Sequence, residues 1–566
     1  MARIELIRDK EIDVILSQET EPGIKKIVGK VAADVLKVSG TKFCIQETGI
    51  LSSQAVIVAT AGSGVLADEL EARIPSLREL KGKWETYGFY LTDAPLPGIE
   101  QGLVIYGSDR LGTIYGLFHL SELLGVTAWG FWGDVTSRSY QKVILDGGIT
   151  ETREEGVRCV KVENGNSKEP SVKYRGFFIN DEWPCFGNWT FSHYQGFTAE
   201  MYDKVFEYLL RMKGNYLWPA MWSSSFLLDG PGMASMELAD EYGIYIGMSH
   251  HEPCMRSSEE WDLLKGEDTP YGNEWDYVTN KEGLLNYWED GLKRSKVYQV
   301  FPTIGMRGER DSMMLGEDST IEENVRLLKE IIRNQRKLIA KHINPDLSKV
   351  PQLFAVYKEV EDFYFGGGKG EGIRGFEELY DVTLLLCEDN FGNMRALPQK
   401  GERERKGGFG MYYHLDYHGG PISYEWVNST PLTKIWEQMT QAYEYGVREL
   451  WIVNVGDLKF QEYPLGYFME LAYDFEAWGS SKPNKTGFYT DQWIKNQFGE
   501  FATLEQQQEI AWVLQESVRL NGLRRPEACN DRIYHPAHYS EGQRMLDRCE
   551  KLEERNETLL KQLKCQ

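Results

Sequence analysis

A chain of 566 residues exceeds what one hydrophobic core serves, so two to four domains are expected. The formal net charge of −23 argues against a nucleic-acid partner, which needs a basic face, and requires local cations around any acidic ligand. The 42% hydrophobic content marks a globular chain rather than a disordered one, with no apolar stretch long enough to cross a membrane.

The opening MARIELIRDKEIDVIL lacks the uninterrupted apolar core of a signal peptide. The chain as given therefore reads as cytoplasmic, or as secreted if a leader has been lost, and sequons at Asn188, Asn428, Asn484 and Asn556 read as incidental. Residues 1–150 form an N-terminal α/β domain. Its strand-like runs lie at Ala55–Thr60, Tyr87–Thr92 and Leu103–Gly107, with a helical pattern over Arg110–Leu124. Gly62-Ser63-Gly64 lacks the third glycine and the lysine of nucleotide loops, so it reads as a plain turn. The polar segment 151–173 reads as a linker.

Eight short apolar runs follow, each leading into polar and aromatic residues. They are 174–182, 216–222, 244–252, 300–311, 353–362, 382–390, 409–418 and 450–459. Near-continuous apolar runs fit parallel strands buried on both faces. Helical patterns separate several of them. Met201, Val205, Tyr208, Leu209 and Met212 recur at helical spacing; Ser319 with Glu322 reads as a capping box; Thr430, Pro431 and Gly446 read as N-cap, first helical residue and stop. Strand then helix, repeated eight times, predicts a (β/α)8 barrel over residues 174–481, with a doubly wound open sheet as the alternative. Gly366–Gly375 has no Ser or Thr after Lys369 and reads as a loop, not a phosphate-binding one. Residues 482–566 turn helical, in Gln506–Leu520 and Tyr539–Leu563, and no stop signal ends the last helix.

A barrel of this kind places its active site where the strands end. Carboxylates crowd there: Asp181, Glu182, Glu252, Glu309, Asp311, Glu359, Glu361, Glu388, Asp389, Asp416 and Asp457. A glycosidase needs two of them, one as acid and one ionised. Glu359 follows an apolar strand beside Lys358, and strand alternation predicts that only one of the two points inward. An inward, desolvated Glu359 would have a raised pKa, suiting a general acid; the plainer reading is an ion pair at the rim. Asp311 lies four residues after Arg307, whose guanidinium suits a uronic acid carboxylate or a simple Arg–Asp bridge. His250-His251-Glu252 lacks metalloprotease spacing, and adjacent strand residues point apart, so hydrogen bonds to sugar hydroxyls are expected rather than a metal. Tyr412, Tyr413, His414, Asp416 and His418 form a second polar–aromatic cluster. Trp218 and Trp222 suit a wall for sugar rings or, equally, core packing; the 13% aromatic content is compatible with either. The eight cysteines form no CxxC pair, so neither a zinc ribbon nor a redox motif is indicated, and no metal or cofactor is expected.

The motifs YRGFFINDEWP, LWPAMW, SHHEP, GMRG, VYKEV, DNFGN with Arg395, YYHLDYHGGPISYEWVNSTPL and WIVNVGDLKFQEYPL, in this order across about 300 residues, resemble glycoside hydrolase family 115, the xylan α-glucuronidases. The upstream SDRLGTIYGLFHLSELLGV resembles that family's N-terminal domain. The resemblance implies an inverting exo-acting hydrolase removing α-1,2-linked glucuronic acid, or its 4-O-methyl ether, from glucuronoxylan or aldouronic acids. It implies Glu359 as general acid and Asp311 as base, with Asp181, His250, Arg307, Tyr413, His414 and Asn454 as substrate contacts; Trp218, Asp389 and Asn390 are further substrate-binding candidates. Inversion would set the two carboxyl groups ~6.5–9.5 Å apart. Two positions depart from the family's usual pattern: Arg310 before Asp311, and Glu388-Asp389 where two aspartates are common. The resemblance also implies a β-rich region beyond residue 566. A homodimer is compatible with the sequence. A non-catalytic carbohydrate-binding relative, or a barrel glycosidase for another acidic or acetamido sugar, are the alternatives.

Overall fold

The computed structural model describes residues 2–46, 53–148, 154–180, 182–316, 318–368, 370–417, 428–524 and 530–563. It divides into two compact units. The first is Met1–Pro170 with Phe206–Lys213 and Glu241–Gly243; the second is Ser171–Val205, Gly214–Asp240 and Ile244–Gln566.

In the first unit the strands are β1 (Arg3–Ile7), β2 (Glu11–Leu16), β3 (Lys42–Gln46), β4 (Gln54–Thr60), β5 (Tyr87–Asp93), β6 (Gln101–Gly107), β7 (Lys142–Asp146), β8 (Val157–Lys161) and β9 (Gly165–Asn166). They make a six-stranded sheet, β3-β2-β4-β6-β5-β9, and a three-stranded one, β1-β7-β8. The apolar run of β4 sits in the sheet's interior, parallel to β2 and β6, as a strand buried on both faces should. Asp109 caps the helix Arg110–Leu123 by accepting from the Gly112 N–H at 2.8 Å. Gly62 and Gly64 both take positive φ, in keeping with a plain turn. The segment expected to be a linker is not one in its described part. β8 pairs with β7 and β9 with β5, so these residues complete both sheets, and the unit ends at Pro170.

The second unit holds β10 (Tyr174–Phe178), β11 (Tyr216–Trp218), β12 (Tyr245–Gly247), β13 (Val300–Phe301), β14 (Leu353–Val356), β15 (Thr383–Cys387), β16 (Phe409–His414) and β17 (Leu450–Asn454). Each apolar run of the sequence supplies one strand. The sheet runs β13-β12-β11-β10-β17-β16-β15-β14, all pairings parallel. A parallel bridge from Thr303 to Leu353 joins its two edges, so the architecture is a nearly closed eight-stranded barrel.

Aromatic rings fill the barrel in layers. Tyr174, Tyr216 and Phe301 pack edge to face at 5.0–5.3 Å. Above them Phe178, Trp218 and Tyr412 form a second layer at 5.1–6.1 Å. The Trp218 indole N–H donates to the Tyr216 hydroxyl at 2.6 Å. Only glycine fits at 247, because a Cβ there would lie 2.1 Å from that hydroxyl.

Helix starts differ from the sequence reading by one residue. The capping box before Ile321–His342 is Thr320 with Glu323, not Ser319 with Glu322. Pro431 is the N-cap of Leu432–Glu444 rather than its first residue, and Gly446 at φ 90° lies just past its end. Such shifts reflect how several adjacent polar residues can each start a helix. Helices Thr486–Phe498, Leu504–Leu523 and Glu541–Gln562 follow the barrel. Among the described residues no helix is long and apolar enough to cross a membrane, and Cys44, Cys159, Cys254, Cys387 and Cys549 are free thiols.

Candidate active site

A cavity of about 150 Å³ opens beyond the strand ends. Phe178 and Tyr412 line it from the aromatic layer. The remaining lining residues are Asn180, Met221, Trp222, Ser249, His250, His251, Asp311, Tyr357, Lys358, His414 and Tyr417.

Its charged centre is built on Arg307, which is only 4% exposed. The Arg307 Nε and Nη2 donate to the two oxygens of Glu359 at 2.8 and 2.6 Å, a bidentate pair. Its Nη1 forms an ion pair with Asp311. Lys358 Nζ donates to the other oxygen of Asp311 at 2.5 Å, and His250 Nε2 lies 3.6 Å from the first. Two carboxylates therefore share one guanidinium, and one of them carries a second cation.

Backbone geometry brings these groups together. β14 ends at Val356, and Lys358 takes φ 54° before the short helix Val360–Phe365 begins. Strand alternation no longer applies there, so Lys358 and Glu359 both reach the cluster, against the expectation that only one would. The same holds after β12, which ends at Gly247. His250 and His251 both line the cavity, their rings 5.1 Å apart, although strand alternation predicted that they diverge. On the third side Arg310 and Asp311 take φ 51° and 68°, a tight turn that folds Asp311 back onto Arg307. Arg310 turns away to pair with Asp262 and does not crowd Asp311.

Buried supports hold the histidine turn. Glu252 is 2% exposed, accepts from the Ser258 N–H at 2.6 Å and the Ser249 N–H at 3.3 Å, and is pushed up to about 7 by burial. Ser258 Oγ lies 3.2 Å from His251 Nδ1. Burial first, then Arg307 and Lys358, holds His251 down to about 3; burial and the same cations, with both neighbouring histidines, keep His250 well below the usual range. Both imidazoles are thus neutral hydrogen-bonding groups at pH 7.

His250, His251 and Asp311 present ligand atoms within 4.8 Å of one another, a donor set a divalent ion can use. Yet Arg307 and Lys358 already bind Asp311, so an ion there would face two fixed cations.

Of the sequence candidates, Asp311, His250 and His414 line the cavity, while Arg307 pairs with Asp311 and with Glu359 and neither Arg307 nor Glu359 is among the lining residues. Asp181 lies outside the described residues. The others have structural partners. Trp218 is fully buried below the floor, and the tryptophan that lines the cavity is Trp222. The Trp222 indole N–H donates to Asn180 Oδ1 at 3.0 Å, and its backbone N–H is held by buried Glu182 at 2.8 Å. Tyr413 points to the opposite side of β16 from Tyr412 and His414, stacks on Phe468 and is fully buried. Asn454 is buried too; it donates to the Tyr412 hydroxyl at 3.3 Å and accepts from the Gly456 N–H at 3.1 Å. Asp389 accepts from the N–H groups of Phe391 and Asn393 at 3.0 and 2.9 Å, tying a turn. Asn390 accepts from the Tyr357 hydroxyl at 2.7 Å. These four orient cavity residues or shape the loop and do not line the cavity. Among the lining residues that sequence reasoning missed are Asn180, Ser249, Tyr357, Lys358 and Tyr417. Lys358 was visible as the partner of Glu359, and its positive φ carried no signal.

A cavity walled by tyrosine and tryptophan, with paired carboxylates at the end of a parallel barrel, is the setting of a glycoside hydrolase. The family model for glycosyl hydrolase family 115 matches residues 167–528, more than half of the chain. Among solved structures, this chain is similar to a family GH115 4-O-methyl-α-glucuronidase, BtGH115A, described as having specificity for decorated arabinogalactans. The identity is 30% and the TM-score 0.83, over 99% of this chain and 70% of that one. It also shares a fold with CpGH84D, at 9% identity and TM-score 0.50, over 91% of this chain and 72% of that one. No curated protein sequence matches. The chain belongs to glycoside hydrolase family 115.

Proposed function

We propose that this chain is an exo-acting α-glucuronidase that releases glucuronic acid, or its 4-O-methyl ether, from α-1,2-linked side groups of glucuronoxylan or aldouronic acids. The observation that carries this reading is a one-ring cavity with two cations, Arg307 and Lys358, paired to two carboxylates, Asp311 and Glu359, at its centre. A space of about 150 Å³ suits one ring rather than a polymer strand, in keeping with removal of a single terminal sugar. Lys358 and Arg307 supply the local cations that a uronate needs in a chain of net charge −23.

In this reading Asp311 is the base. It lines the cavity, and its two cationic partners favour the carboxylate form. Glu359 is the acid. Both its oxygens accept from Arg307; the substrate carboxylate takes Arg307 over, and Glu359, freed of it, picks up a proton from solvent and passes that proton to the leaving oxygen. The acid is then released only when a uronic sugar occupies the cavity. With Arg307 drawn to the substrate carboxylate the two carboxyl groups part, Asp311 takes a proton from the water that attacks the anomeric carbon opposite the leaving oxygen, and the centre inverts.

The polymer admits a second reading, because the similar structure at 30% identity is described as specific for decorated arabinogalactans. Incubating the chain with glucuronoxylan, aldouronic acids and decorated arabinogalactan, and measuring released uronic acid, separates the two. Release from xylan-derived substrates supports the first, and release from arabinogalactan alone supports the second. Binding by calorimetry without release from any would make the chain a carbohydrate-binding relative.

A further inference from the structure

Behind the cavity wall sits a carboxylate–imidazole pair outside the proposed acid–base chemistry. His414 lines the cavity from the end of β16, and Glu388 follows directly after β15. Both are 1% exposed. Glu388 Oε1 bonds His414 Nδ1, and Oε2 accepts from the Gly392 N–H at 2.5 Å. The carboxylate is thus fixed at both ends, by a backbone turn and by the ring it faces. Rings of Tyr412, Tyr417 and Tyr357 surround the imidazole at 4.4, 5.5 and 6.2 Å, and all three also line the cavity. His414 Nε2 has no hydrogen-bond partner among the described residues. With Nδ1 taken, Nε2 is the one polar atom the ring has to offer a ligand.

We propose that Glu388 is a positioning residue: it holds the His414 proton on Nδ1, so that Nε2 stays bare and accepts a hydrogen bond from a hydroxyl of the bound sugar. A carboxylate accepts and cannot donate, so it selects the Nδ1–H tautomer. Lys358 and Arg307 already supply the cations of the cavity, and Nε2 adds an acceptor for a sugar hydroxyl beside them. Glutamine at 388 has nearly the same shape but presents both a donor and an acceptor, so it admits the wrong tautomer, as an amide does beside a catalytic histidine.

The inference rests on the cavity being the sugar site, and its test separates the two claims. Neutron diffraction from crystals of the full chain soaked in D-glucuronic acid locates the exchangeable protons directly. The expected result is deuterium on Nδ1, none on Nε2, and a sugar hydroxyl donating to Nε2. Deuterium on Nε2, or a sugar bound in the cavity with no hydroxyl at Nε2, overturns the proposal. In turnover, Glu388→Gln is expected to lower kcat/KM by roughly 10–100-fold, the usual scale for a residue that orients another. Because it acts through His414, adding it to His414→Gln costs nothing further; multiplied losses in the double variant overturn the proposal. A wild-type chain that releases no uronic acid sinks the proposed function, while the proton positions still decide the tautomer.

Discussion

Replacing Glu252 by glutamine changes how the stability of this chain depends on pH. Glu252 is buried beneath the histidine turn, and burial lifts it from an ordinary 4.5 to about 7 despite two backbone N–H donors. The folded state therefore holds this proton more tightly than the unfolded chain does. Its stabilising effect is complete below about pH 4.5 and is lost as pH rises through about 7. Two and a half pH units at about 1.4 kcal/mol each come to about 3 kcal/mol. Glutamine does not titrate and resembles the protonated form, so the variant keeps what the wild type loses. Its amide meets a backbone donor badly, but that cost is the same at every pH. Urea unfolding of both proteins at pH 4 and pH 8 measures the effect. Stability of the variant minus that of the wild type is expected to rise by about 3 kcal/mol between the two. A difference that stays flat across this range would refute the reasoning, because Glu252 would then titrate alike in both states.

Other perturbations read other parts of the account. Glu359→Gln and Asp311→Asn are each expected to lower kcat by roughly 10²–10⁴-fold, while calorimetry still detects aldouronic acid binding; unchanged turnover in either would remove that residue from the chemistry. Trp222→Ala should raise KM with little change in unfolding midpoint, whereas Trp218→Ala should cost about 3–5 kcal/mol of stability, because only the second leaves a void in the core. Equal kinetic and stability effects in the two variants would mean their places are wrongly assigned. Arg310→Ala breaks an exposed pair with Asp262 and is expected to shift stability by no more than about 1 kcal/mol, with turnover kept; a large loss of activity would show that this arginine belongs to the site. Dialysis against EDTA should leave turnover unchanged, and activity lost then restored by a divalent ion would hand His250, His251 and Asp311 to a metal.

The barrel was legible because buried parallel strands leave long apolar runs, and each of the eight runs contains one strand. The site was only partly legible. Asp311, His250, Arg307 and Glu359 follow strand ends, and the fold gathers them as their motifs suggested. Inside the strands the misplaced residues are ones that alternation or the packed layers place away from the cavity; beyond the strand ends alternation itself fails. Within β16 alternation holds, and applying it there would have put Tyr412 and His414 on the cavity side and Tyr413 away from it. Beyond Gly247 and Val356 the strands have ended, and turns, the second with Lys358 at positive φ, aim neighbours such as Lys358 and Glu359 at one target. Those angles are set by tertiary packing, which no local pattern records. Trp218 and Trp222 sit four residues apart with similar neighbours, and only the aromatic layer below the cavity decides which one is core.

The central claim is that the one-ring cavity releases a uronic acid with inversion, through Asp311 and Glu359. Proton NMR of the first product formed from an aldouronic acid tests it most directly, before mutarotation mixes the anomers. The β-anomer of free (4-O-methyl)glucuronic acid appearing first is the predicted result. The α-anomer appearing first, or no uronic acid at all, would contradict it.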